Sequence, residues 1–146
     1  MIMQLTTELA VKEDREPGPK ITKPADAAEY LKDLRLSLLQ QETFICVTLD
    51  CKSQIIDRHI ISIGVLDSTL VSPRELYRVA INDSAKSILV AHNHPSGDLA
   101  PSAQDLQVTK KLIEAGRIME IALLDHLIIA AGDDHLSLKE SGLVKF

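Results

Sequence analysis

Apolar positions in this chain change period several times, and each change marks the edge of a predicted element. From Pro24 they recur every three or four residues, at Ala27, Leu31, Leu34 and Leu38. That is the helical period, and it predicts a helix to about Gln40. Pro24 suits a first helical position, and Asp26 and Glu29 suit the positive end of the helix dipole. Thr43 to Leu49 is apolar, β-branched or aromatic throughout, the pattern of a strand buried on both faces. Asp50 to Ser53 reads as a turn and Gln54 to Ile63 as a second, longer strand, so the two are expected to pair as a hairpin. Ser72-Pro73-Arg74-Glu75 opens a helix, with a capping Ser, Pro at the first position and Glu at the third. Leu76, Val79 and Ala80 supply its buried face.

Ser87 to Ala91 is a short buried strand, followed by a loop of small and breaker residues from His92 to Pro101. Ser102 starts another helix with Leu106, Leu112 and Ile113 inward and Gly116 placed to end it. Three more strands are predicted at Ile118–Leu124, Leu127–Ala131 and Leu136–Leu138, the last two joined by a tight Gly132-Asp133-Asp134 turn. This order predicts a mixed α/β domain with one central sheet flanked by helices. Residues 1–22 are polar and contain Glu16-Pro17-Gly18-Pro19, which is neither a regular helix nor a central strand. They are expected to form a flexible arm before one domain at 23–146.

With 146 residues there is room for one domain with a real core and not for two comfortable ones. Apolar content of 45% and charged content of 25% fit a soluble globular protein. No apolar run is long enough to cross a bilayer, and Glu8, Glu13 and Asp14 near the start argue against a secretory signal. Cys46 and Cys51 are not in a CxxC spacing, so a disulfide framework is not expected and the cytoplasm is the expected compartment. Net charge is −5 with scattered basic residues, and the aromatics number only two Tyr and two Phe. Direct nucleic-acid binding is therefore disfavoured.

The chemistry is concentrated in His92-Asn93-His94-Pro95-Ser96-Gly97-Asp98 and Ser102-Ala103-Gln104-Asp105. Histidines at i and i+2 of an extended segment project to the same side, a workable bite for one zinc ion at about 2.0–2.1 Å. Asp105, one helical turn beyond Ser102, is able to bring a carboxylate to the same point. Two His and one carboxylate would leave a fourth tetrahedral position open, as a catalytic zinc requires. Taken singly, Ser102 and Asp105 also read as a helix cap, and a His-x-His pair as solvated side chains.

His-x-His-Pro, six further residues and then Ser-x-x-Asp is the signature of the JAMM metalloproteases of the JAB/MPN class, and the fuller text around it resembles the RadC subgroup. Ser72-Pro73-Arg74-Glu75-Leu76, Asp125-His126-Leu127-Ile128-Ile129 and Ser137-Leu138-Lys139-Glu140-Ser141-Gly142-Leu143 carry the resemblance from about residue 23 to the end. It implies a JAB/MPN-type fold, cytidine-deaminase-like in outline, with one zinc ion per chain on His92, His94 and Asp105. It also implies that Ser102 hydrogen-bonds a developing oxyanion and that Glu42, ahead of the Phe44 strand, is general base. Without the resemblance Glu42 reads as a solvated residue at a helix–strand junction. Glu29 and Glu75 are accounted for by helix N-termini, and His59 and His135 as structural or exposed.

Asp98 either accepts from a ligand histidine or faces water, and Asp125 and His126 either face the metal or link strands. Gly97 is assigned to backbone geometry. A zinc hydrolase acting on a peptide or isopeptide is the leading reading of function. The alternatives are a RadC-type DNA repair or recombination factor and a non-catalytic interaction module, the latter opposed by the intact ligand set. The H-x-E and P-C-x-x-C text of nucleobase deaminases and the HExxH text of helical zinc proteases are both absent.

Overall fold

The computed structural model describes residue 16 and residues 18–64 and 71–146. Its elements are α1 (Pro24–Tyr30), β1 (Thr43–Leu49), β2 (Ile55–Ile63), α2 (Pro73–Asn82), β3 (Ser87–Asn93), α3 (Ala103–Met119), β4 (Ala122–Ile129), β5 (His135–Ser137) and α4 (Leu138–Ser141). The strands form one sheet in the order β2-β1-β3-β4-β5. Only β3 and β4 run parallel, because α3 carries the chain back across the sheet between them. This is the mixed α/β architecture that the apolar pattern predicts.

Strand alternation explains why β1 is buried at every position. Phe44 and Cys46 turn to the face covered by α2 and α3, where they meet Leu76, Val90, Val108 and Leu112. Ile45 and Val47 turn to the other face, against Ala27, Leu31 and Leu36 from α1 and the turns after it.

Several boundaries differ from the sequence expectation. The first helix stops at Tyr30 and gives way to two 3-10 turns, Lys32–Leu34 and Leu36–Leu38, separated by Arg35 at φ 50°. Three residues per turn rotates the apolar stripe, so Leu36 is buried and Leu38 is exposed. Gly116 does not end α3, which continues to Met119 and closes on Glu120 in the left-handed region. Gly116 is required for packing instead: a Cβ there would overlap the Tyr77 hydroxyl and lie 2.6 Å from the Ile121 carbonyl oxygen. The two strands expected across 118–131 are one strand, β4, with the polar Asp125-His126 pair inside it.

The expected arm lies mostly outside the described residues. At its described end Lys20 bridges Gln54, Ile55 N donates to the Pro19 carbonyl at 2.8 Å and Ile21 N to that of Ser53 at 2.9 Å. Among the described residues no helix is long and apolar enough to cross a membrane.

Candidate metal centre

The site forms where β3 leaves the sheet. His92 and Asn93 are still strand residues, two more than the apolar run predicts, and His94 N continues the pairing to the Ile129 carbonyl at 2.9 Å. Asn93, alternating to the opposite face, accepts Thr43 N at 2.6 Å and donates to the Gln41 carbonyl at 3.1 Å. This ties the end of β3 to the start of β1 and leaves both histidines on the α3 side. His92 is fully buried there, with its ring stacked on Phe44 at 6.2 Å.

A tight turn fixes His94. Gly97 adopts φ +83°, which a side chain would strain, and its N–H returns to the His94 carbonyl at 3.0 Å. The Asp98 carbonyl then lies 2.6 Å from His94 Nδ1. A carbonyl only accepts, so Nδ1 carries the proton and the neutral ring's lone pair is on Nε2. Asp98 therefore orients this histidine through its backbone, while its carboxylate takes the Ala100 N–H at 2.9 Å.

Asp105 arrives from α3. Its backbone N–H donates to Ser102 Oγ at 3.0 Å and its Oδ2 accepts Ser102 N at 2.9 Å. This reciprocal cap fixes the carboxylate. Asp105 Oδ1 lies 3.3 Å from His92 Nε2, Asp105 Oδ2 lies 3.1 Å from His94 Nε2, and the two Nε2 atoms are 3.0 Å apart. Burial works against ionisation of Asp105, but the bond and charge of His92, the Ser102 N–H and His94 hold its carboxyl well below the usual carboxylate range.

Two imidazole nitrogens and two carboxylate oxygens this close require positive charge among them, either protons on the imidazoles or a metal ion. Donors on a tetrahedron with bonds of about 2.0–2.1 Å stand roughly 3.3 Å apart, so spacings of 3.0 to 3.3 Å fit an ion of that size. The donor set, two imidazoles and a carboxylate, suits a first-row transition metal.

The remaining predicted residues separate cleanly. Ser102 is exposed at the mouth of the site, so the cap and the proposed oxyanion contact use the same side chain. Glu42 is half-buried immediately before β1, with its carbonyl accepting Gly64 N at 2.8 Å. Phe44 faces His92 across the β1–β3 register, and Glu42 precedes it by two residues in the chain. Asp125 faces away from the centre. It accepts from His126 N, Lys139 N and the Ser137 hydroxyl and so anchors α4 and β5 to β4.

His126 does face the candidate centre, with Nε2 2.7 Å from His92 Nδ1, and its own Nδ1 is 2.6 Å from Thr109 Oγ1. Thr109 carries no motif text. Its signal is helical spacing alone, four residues after Asp105 on the same face.

A second group able to share an ion, Asp57, His59 and Asp83, is more exposed. There His59 Nε2 pairs with Asp83 Oδ2 at 2.7 Å, and the same carboxylate oxygen accepts Thr48 Oγ1 at 2.7 Å.

The profile of the RadC-like JAB domain matches residues 21–143. UPF0758 proteins of Bacillus cereus (strain AH187), Bacillus anthracis (strain CDC 684 / NRRL 3495) and Bacillus thuringiensis subsp. konkukian (strain 97-27) are each 49% identical over 124 residues. The match covers 84% of this chain and 53% of each relative, so the chain spans about half the length of the curated relatives it matches. A five-stranded mixed sheet flanked by helices agrees with that match, and the chain belongs to the RadC-like JAB domain family.

Proposed function

We propose that this domain is a zinc-dependent hydrolase of the peptidase or isopeptidase class, with one zinc ion on His92, His94 and Asp105. The observation that carries the reading is the convergence of His92 Nε2, His94 Nε2 and the Asp105 carboxylate at spacings of 3.0 to 3.3 Å, three ligand groups among the described residues. When bound, zinc on such a set acts as a Lewis acid and lowers the pKa of a coordinated water towards neutrality.

The protein's own groups supply the rest. Glu42 takes the proton of the attacking water, as a positioned carboxylate does in general base catalysis. Ser102 Oγ accepts the Asp105 N–H, which leaves its own O–H to donate to oxygen developing negative charge on a substrate carbonyl.

Elemental analysis of the purified chain is expected to find about one zinc ion per molecule. His94→Ala and Asp105→Ala are each expected to lose it while circular dichroism remains native, and full zinc content in both would overturn the ligand assignment. A cleavage screen over peptide, isopeptide and DNA substrates then tests the reaction, with Glu42→Gln as its blank. Glu42→Gln is expected to keep zinc and to lose about 100-fold or more in turnover. Cleavage of DNA alone would replace the peptide reading with RadC-type processing of nucleic acid.

A further inference from the structure

A buried hydrogen-bonded chain leads from the centre into the core, and its direction is set at its far end. The Asp105 carbonyl oxygen only accepts, so at 2.6 Å it takes the single proton of the Thr109 hydroxyl. Thr109 Oγ1 must then be the acceptor in its other contact, the 2.6 Å one to His126 Nδ1. His126 is wholly enclosed, and its ring nitrogens meet the Thr109 hydroxyl and the His92 ring with no carboxylate of the described residues against them, a setting that suits a neutral ring. With its proton on Nδ1, its lone pair is on Nε2, 2.7 Å from His92 Nδ1. That contact is a hydrogen bond only if His92 Nδ1 is the donor.

From this chain we propose that Thr109 and His126 are positioning residues, holding His92 as the Nδ1–H tautomer so that its Nε2 lone pair faces Asp105 and His94. The inference rests on the metal reading above and extends it to residues outside the ligand set. Both ligand histidines are thereby oriented by backbone carbonyls. That of Asp98 acts directly on His94, and that of Asp105 acts on His92 through two side chains. A single residue of α3 thus offers its carboxylate to the centre and its carbonyl to the relay behind it. Groups that orient metal-bound imidazoles in this way typically change affinity about 10- to 100-fold when removed.

Thr109→Val keeps the shape and removes the hydroxyl. His126 Nδ1–H then lacks an acceptor, and a proton moved to Nε2 would oblige His92 to protonate Nε2, facing the ion. Thr109→Ser keeps the hydroxyl.

In chelator competition Thr109→Val is expected to bind zinc about 10- to 100-fold more weakly than wild type, and Thr109→Ser within about threefold of it. Nitrogen-15 NMR of the metal-free wild-type protein at alkaline pH is expected to find the His92 proton on Nδ1, and that of Thr109→Val to find it on Nε2. Equal affinities for Val and Ser variants, or a wild-type His92 protonated on Nε2 alone, would overturn the relay. A wild-type chain that takes up no zinc would instead end the metal reading, and the metal-free spectra would still decide the tautomer.

Discussion

A neutral imidazole has one donor and one acceptor, and which nitrogen is which depends on what the other one touches. The same dependence on surroundings separates the two cysteines. Burial raises the Cys46 thiol to about 12, whereas Cys51 is exposed in the turn between β1 and β2. A thiol reagent at neutral pH is expected to modify one cysteine per native chain and two after denaturation. Rapid modification of both in the native protein would contradict the burial of β1.

Residues that carry the centre were legible because their spacing is local: i and i+2 on an extended segment, and a cap at i and i+3. Thr109 was not, and His126 was so only as one of two alternatives, since the contact between them arises when α3 and β4 pack together across seventeen residues of chain. Asp98 was half legible. Text offers its carboxylate, and the fold uses its carbonyl.

At the level of elements, a tight constraint is the approach of α2 to α3 and to the start of β4. Tyr77 donates to the Leu112 carbonyl at 2.9 Å and passes directly over Gly116. Gly116→Ala is therefore expected to destabilise the fold by about 1–3 kcal/mol through overpacking, although alanine is the better helix former by about 1 kcal/mol. A denaturant midpoint equal to wild type would remove this account. Sequence periodicity located β1, β3 and α3, which meet at the centre, and failed where packing overrides a local signal. A glycine near a helix end imitates a terminus, two polar residues imitate a break in β4, and 3-10 turns imitate the continuation of α1. In each case the deciding contact comes from a distant element, which periodicity does not register.

For the molecule as a whole, the proposed ligands join β3 to α3, so an ion held there is bound by the folded chain and not by the unfolded one. At free zinc near 100 times the dissociation constant this linkage is worth about 2.7 kcal/mol, or roughly 5–10 °C in Tm for a domain of this size. Binding requires unprotonated imidazoles. The gain should therefore shrink as acid protonates the imidazoles and competes with the ion for their nitrogens. Thermal melts with and without chelator, at about pH 8 and pH 5, check both parts; a chelator effect that persists at the acidic pH would argue that histidines are not the ligands.

Asn93 stands between the two histidines in sequence and on the other side of the sheet, clasped by Thr43 N and the Gln41 carbonyl. Gly64 N grips the intervening Glu42 carbonyl from β2's end. Three neighbouring strands therefore share in holding the stretch of backbone on which the proposed base stands, as three pegs hold one rail.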